Sequence, residues 1–374
     1  MFKEIFLFEF RYWFKRSVLY IYFGIILTIS FLIAGVESGM FESLTSSIDR
    51  GENLINSPYS VFQSITGLFT LTIFFLPAIM GTCIYRDFRF NMHSFLYTMP
   101  INKTGYLLGR FLASVIITVF IYSSIPLAFL AAYNMAWVPG EYIADFRLVT
   151  YLQPLLLYIL PNVIMFGALI FAIVTLSRNI TAGYITIIVI FLLNSLSSIL
   201  LNDLDNEFLA AMLDPYGQEA FGLDTKYWSI SEKNAKLIPL SGALIKNRLL
   251  WTGIGAVIFM FTYWRFTFSQ FGSGLFSFKK KKIKSEESPV EEEVGVGSGI
   301  ELPDVNRVFN WKVHWNTLWN SAFKEFKTIV TGTNFIIFTL LGIFFMILAS
   351  TQVGKMYDTE TYPVTRQVLS LATG

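Results

Sequence analysis

Seven stretches of this sequence contain no Asp, Glu, Lys or Arg and are apolar almost throughout: 17–36, 65–85, 111–132, 151–176, 180–201, 249–264 and 334–350. A helix needs roughly 20 apolar residues to cross about 30 Å of hydrocarbon, and a backbone in lipid must satisfy its own hydrogen bonds. Long uncharged runs therefore predict membrane-spanning helices. Composition agrees, since 54% of the chain is hydrophobic and only 14% is charged, with 38 Phe; soluble domains carry about 25% charged residues. The expected fold class is all-α, a polytopic membrane helix bundle. The first run is too long for a signal peptide and lacks a small-residue cleavage pattern, so it should stay as a membrane helix. Cys83 is the only cysteine; no disulfide can form within the chain, and it reads as a small packed residue.

The sixth run is short, but Arg248 and Arg265 bracket it and can snorkel to the two interfaces. Trp251, Tyr263 and Trp264 lie near its ends, where an aromatic belt belongs. Orientation follows from the basic residues. Lys3, Arg11, Lys15 and Arg16 precede the first span; Arg86, Arg89, Lys103 and Arg110 follow the second; Lys279–Lys282 and Lys284 follow the sixth. Loops 37–64 and 133–150 hold one basic residue each, Arg50 and Arg147. The positive-inside rule puts the N-terminus in the cytoplasm, and the localisation expected is the inner (cytoplasmic) cell membrane, multi-pass. Loop 202–248 must then face outward despite its lysines, which its length and its acids allow.

Four regions result. Residues 1–16 read as an amphipathic helix on the inner membrane surface, apolar through Ile5, Phe6, Phe8, Phe10, Trp13 and Phe14, with Lys3, Arg11, Lys15 and Arg16 to meet anionic head groups. Residues 17–265 form a six-span unit. Residues 266–310 include KKKKIKSEESPVEEEVGVGSG, a basic block, an acidic block and then Gly and Ser, and read as a disordered cytoplasmic linker. Its lysines serve either as a positive-inside stop or as contacts to anionic lipid. In 311–374 the order of features restarts, with Glu325-Phe326-Lys327 where Glu9-Phe10-Arg11 stood and Tyr362-Pro363-Val364 where Tyr59-Ser60-Val61 stood. This predicts the start of a second unit with one span, in a chain that is a piece of a longer polypeptide.

The sequence has no G-x-x-x-x-G-K-[ST] phosphate loop, no H-E-x-x-H and no G-x-S-x-G, and its two histidines, His93 and His314, lie far apart. No catalytic residue, metal site or cofactor is expected in this chain, and a net charge of +2 suggests no nucleic-acid partner. Ion-coupled transporters and pumps keep ionisable groups inside the membrane. These spans offer only neutral polar residues such as Ser123, Ser124, Gln153, Asn162, Asn194 and Ser195. They suit interhelical hydrogen bonds, with Asn162, Asn194 and Ser195 as candidates to line a polar path. Energy for uphill movement is expected from elsewhere.

The loop between the second and third spans is the most informative. Tyr85-Arg86-Asp87 closes the span, a mixed helix runs through Phe88, Arg89 and Phe95, and Thr98-Met99-Pro100-Ile101 breaks it. Lys103 and Gly109-Arg110-Phe111 lead into the third span. Such a loop offers a rigid handle to a soluble partner; Arg86 and Arg110 read equally as snorkelling anchors. At these residues the sequence resembles the ABC-2-type exporter permeases, in which a charged pair closes the second span and T-x-P-I, a basic residue and G-[RK]-F follow. The resemblance implies a surface helix at 1–16, a coupling helix within 86–100, six spans per unit, a separate ATP-binding subunit that carries the ATP, and a second permease unit in the same polypeptide or a homodimer. The implied coupling residues are Arg86, Asp87, Arg89, Thr98, Pro100, Ile101, Lys103, Gly109 and Arg110. The long loop before the sixth span is implied to fold back at the outer face.

A narrower likeness lies in Asp214-Pro215-Tyr216-Gly217, Tyr227-Trp228, Glu232, Asn234, Pro239-Leu240-Ser241-Gly242 and Asn247-Arg248-Leu249-Leu250-Trp251. These are similar to a bacterial subfamily in which two permease units precede an M1-family zinc aminopeptidase. Tyr227, Trp228, Asn234, Pro239, Asn247 and Arg248 are its external-loop motif here. The leading expectation is the membrane-spanning permease subunit of an ATP-driven exporter. The alternative is the membrane anchor of a fused zinc aminopeptidase, and a third is a scaffold without transport.

Overall fold

The computed structural model describes residues 1–40, 53–138, 140–201, 207–268 and 311–332, with a few positions between 335 and 360; of 141, 193–201, 312, 313, 329, 355, 356, 359 and 360 it describes the backbone alone. The chain forms two units, Met1–Phe276 and Ser277–Gly374.

In the first unit, α1 (Phe2–Phe14) precedes α2 (Ser17–Ser38). Then come α3 (Pro58–Arg89), the short α4 (Met92–Leu96), α5 (Lys103–Tyr133), α6 (Leu148–Ser177) and α7 (Ile180–Leu201). Three small helices, α8 (Glu207–Leu213), α9 (Gln218–Thr225) and α10 (Ile230–Ala235), lead to α11 (Ala243–Arg265). The described residues contain five helices long and apolar enough to cross a membrane: α2, α3, α5, α6 and α11. The all-α membrane bundle expected from sequence is therefore present. The predicted span 180–201 is helical throughout as α7, with its side chains described only to Leu192. The seventh predicted span, 334–350, lies outside the described residues except for Phe335, Thr339 and Ile343.

The helices run past the edges of the uncharged stretches. Glu37 ends α2, Arg86, Asp87 and Arg89 end α3, Arg110 lies two turns into α5, and Arg248 lies near the start of α11. Local chemistry sets the starts. The Ser57 hydroxyl accepts from the Ser60 N–H, with Pro58 in the first turn, and Asn102 accepts from the Gly105 N–H. Prolines mark the irregularities. A π turn at Pro77–Gly81 interrupts α3, and another at Leu155–Ile159 follows Pro154 in α6. Each proline removes one rung of the hydrogen-bond ladder, and the helix accommodates the loss by widening locally.

The core lies between α3, α5 and α6, where Phe62, Phe69, Tyr122, Tyr158, Phe166 and Phe171 are fully buried. α6 packs along α11, α2 along the second half of α5, and α1 across its first half. The apolar side chains left outward, such as Tyr20 and Ile21 on α2 and Leu249, Met260 and Trp264 on α11, fit contact with lipid.

In the second unit, α12 (Trp311–Val330) leaves Trp311, Trp315, Leu318, Trp319, Phe323 and Phe326 exposed. A two-residue hairpin pairs Lys355–Met356 with Thr359–Glu360. The sequence reading did not anticipate this hairpin. Residues 269–310, most of the predicted linker, lie outside the described residues. Its first residues do not behave as a solvated linker. Phe266 is buried, and with Phe268 it packs on Tyr97 and Tyr106, so the ordered chain continues past Arg265.

Candidate functional site: an exposed loop over a buried charge cluster

Three elements meet where α3 ends and α5 begins. Glu9 of α1 is fully buried and receives Arg86 of α3 at 2.7 Å (Nη2 to Oε2) and Arg110 of α5 at 3.4 Å (Nη1 to the same oxygen). Arg110 Nη2 also pairs with Asp87 Oδ2 at 2.7 Å, and the Tyr106 hydroxyl donates to that oxygen at 2.7 Å. Arg110 Nη1 further donates to the Cys83 carbonyl. The Arg86 guanidinium lies 3.8 Å from the centre of the Tyr12 ring. Two carboxylates and two guanidinium groups thus cancel in formal charge inside the protein. An isolated buried charge is costly, and pairing with added hydrogen bonds is what makes burial tolerable.

α1 can deliver Glu9 only by coming very close to α5, and two glycines permit this. A Cβ on Gly109 would meet Ile5 and the Phe2 carbonyl at 3.3 Å, and one on Gly105 would meet the Phe2 backbone nitrogen at the same distance. The Gly-x-x-x-Gly spacing puts both on one face of α5, as in close helix crossings within membranes. The α1 expected to lie on the membrane surface is therefore docked on the bundle along one side. Glu9 and Trp13 face inward, while Phe8 and Arg11 stay exposed.

Above the cluster the chain turns through Asn91, whose φ of 54° places it in the left-handed region, into α4. The outer side of this loop carries Phe90, Met92, Phe95 and Met99, at 61%, 48%, 57% and 42% exposure. The inner side is braced by aromatic contacts. His93 meets Phe88 (5.3 Å between centroids), and Tyr97 meets Phe268 (5.1 Å) and Tyr106 (6.4 Å). Burial pushes the Tyr97 phenol up to about 12, so it stays neutral. Thr98 Oγ1 donates to the Phe95 carbonyl at 2.8 Å and closes the helix. Lys103 Nζ donates to the Trp264 carbonyl at 3.5 Å and lies 4.6 Å from the Tyr263 ring centre, tying the loop to the end of α11.

The nine expected coupling residues therefore divide. Arg89, Thr98 and Pro100 are exposed, and Ile101 and Lys103 are half-buried. Asp87, Gly109 and Arg110 are buried and Arg86 nearly so; they support the surface from beneath instead of presenting it. Nor do Arg86 and Arg110 snorkel, because Glu9 and Asp87 hold them inward. Sequence reasoning passed over Glu9. Its one signal was an acid on the otherwise apolar and basic face of α1.

Two of the external-loop residues, Asn247 and Arg248, form a second knot near the start of α11, against the middle of α6. The turn Asp214-Pro215-Tyr216-Gly217 inserts beside α6. Asp214 Oδ1 accepts from the Tyr216 N–H at 2.8 Å, and Gly217 has a φ of 84° with the Arg248 guanidinium lying against it. Arg248 Nη1 donates to Asn162 Oδ1 at 2.6 Å and Nη2 to the Pro215 carbonyl at 3.2 Å. Asn162 Nδ2 donates to the Tyr216 carbonyl at 3.1 Å, and Asn247 Nδ2 to the carbonyls of Ala211 (2.6 Å) and Asp214 (2.8 Å). The snorkelling expected of Arg248 is thus corrected: backbone and amide oxygens turn it inward, to 4% exposure. Asn162, expected to line a path, is fully buried with both ends of its amide engaged within the chain. Asn194 and Ser195 fall where only the backbone is described.

The remaining external residues are spread out. Tyr227 is 83% exposed, Trp228 lies under the Lys236 ammonium at 5.1 Å, and Asn234 Oδ1 accepts from the Leu54 N–H at 2.8 Å. Pro239 follows Ile238, whose N–H and carbonyl are both bonded by the Gln153 amide. Asp224, unremarked in the sequence, caps α11 by accepting from the Ala243 and Leu244 N–H groups at 2.7 and 2.9 Å. The chain matches no protein-family model, no curated protein and no solved structure.

Proposed function

We propose that the chain is the membrane-spanning permease subunit of an ATP-driven, ABC-type exporter in a bacterial inner membrane, with its N-terminus in the cytoplasm. A separate ATP-binding subunit engages the loop from Phe90 to Ile101. The observation that carries this reading is the exposed apolar set Phe90, Met92, Phe95 and Met99, on a short loop at the basic end of the bundle. Apolar groups clustered outside the spans favour a protein partner. The ion cluster beneath joins that loop to α1, α3 and α5, so a push on α4 would reach three helices together. The missing phosphate loop in the sequence supports an energy source on another subunit. Six spans in the first unit, and a second unit in the same polypeptide or a homodimer, belong to the same proposal.

The test replaces Met92 and Phe95 together by Asp. Membrane insertion and thermal stability should stay at wild-type levels, because both side chains are exposed. Co-purification with the ATP-binding subunit, and stimulation of its ATPase, should be lost. Undiminished stimulation would overturn the assignment.

A further inference from the structure

At the far end of α3 from α4, three separate segments line an open cavity of about 460 Å³: residues 54–58, 143–150 and 231–235. That volume is in the range of small-molecule sites. Its walls are pinned in advance. The Asn56 amide bonds both ways to Ala144, donating to its carbonyl at 2.7 Å and accepting from its N–H at 2.5 Å, and Asn234 holds the Leu54 N–H. Arg147 Nη1 donates to the Ala235 carbonyl at 3.1 Å, which fixes its guanidinium at the rim with further N–H groups to spare.

Three lining groups are not used by these staples. Asp145 carries an unpaired carboxylate among the described residues, and the hydroxyls of Thr150 and Ser231 make no hydrogen bond there. Asp145 and Arg147 stand two residues apart on irregular backbone with no ion pair between them. A cavity offering one anion and one cation that do not neutralise each other suits a ligand with the reverse pair. A simple anion would meet Asp145, and a simple cation would meet Arg147.

We propose that this cavity binds a small zwitterion, a free amino acid or short peptide, its ammonium at Asp145 and its carboxylate at Arg147. Thr150 and Ser231 add hydroxyl contacts to the ligand's polar backbone. The proposal stands independently of the ATPase-coupling reading.

The test is calorimetric titration of the full chain in lipid nanodiscs with L-alanyl-L-alanine, its N-acetyl form, its C-terminal amide and L-alanine. The dipeptide should bind saturably, and blocking either end should weaken binding by about tenfold or more, as expected for losing a charged hydrogen-bonded contact. Asp145→Asn, at an exposed position with no partner to lose, should weaken the dipeptide by about tenfold and leave the N-acetyl form unchanged. Alanine binding as tightly as the dipeptide would identify the amino acid as the better ligand, and weaker binding the peptide. Absence of saturable binding by either, equal binding of the blocked forms, or an Asp145→Asn protein indistinguishable from wild type would overturn the proposal.

Discussion

The two buried arginine sites solve the same problem in different ways. At the loop end, Arg86 and Arg110 face two carboxylates and their charges cancel. At the far end, Arg248 has no carboxylate in an ion pair among the described residues; oxygens of Asn162, Asn247 and Pro215 solvate it. The first is a closed electrostatic account between helices distant in sequence. The second is a charge held by dipoles, two side-chain amides on α6 and α11 and one carbonyl of the 214–217 turn. The difference predicts unequal sensitivity. Removing one member of a charge-balanced set strands an opposite charge, whereas removing a dipole-solvated cation leaves only neutral acceptors unsatisfied.

The largest effect is expected for Glu9→Gln, which leaves two guanidinium groups against one carboxylate. It should cost about 3–5 kcal/mol, read by thermal or denaturant unfolding in detergent. Adding Arg86→Gln should restore part of the loss, and a double-mutant cycle with no coupling would break the comparison. Arg248→Met should cost less, about 1–3 kcal/mol, with the 214–217 turn gaining hydrogen exchange before the rest. A loss equal to that of Glu9→Gln would show that the dipole-solvated site is no more forgiving. Gly109→Val should force α1 off α5 and cost about 1–3 kcal/mol, with added proteolytic cleavage within residues 1–16. Unaltered protease resistance would mean that Glu9, and not the close approach, holds α1.

The smallest effect concerns Glu232, whose carboxyl is held below the ordinary range chiefly by the Ser229 N–H in the capping box. A depressed folded value stabilises α10 above the ordinary carboxylate range, and that support is lost as pH falls through the lowered value. Amide exchange across 230–235 should therefore rise, relative to the intrinsic rate, on acidification below the ordinary carboxylate range, while α11 is unaffected.

The spans were legible in the sequence because lipid leaves a backbone few options, and long uncharged runs such as 111–132 mark where that constraint acts. Their ends were less legible. A search for uncharged windows stops at the first Arg or Glu, yet Arg110 and Arg248 continue their helices because partners wait inside. Glu9 was invisible as a site residue because its partners lie 77 and 101 positions away. The direction Arg248 takes depends on acceptors that come together only in the fold, Asn162 from α6 and Pro215 from the 214–217 turn. Met92, Phe95 and Met99 were readable as a loop, but which of their sides would remain uncovered was not, since Phe266 and Phe268 come from a segment read as solvated linker.

The distance between Glu9 and Arg110 also bears on how the protein is made. At about 5–20 residues per second, the ribosome needs roughly 5–20 s after Glu9 emerges before its second arginine exists. Arg86 is made earlier, but until α5 follows, α1 lacks both Arg110 and the Gly105–Gly109 face it packs against. Its seating on the bundle is therefore a late step of assembly, open only once the third long hydrophobic segment has been inserted.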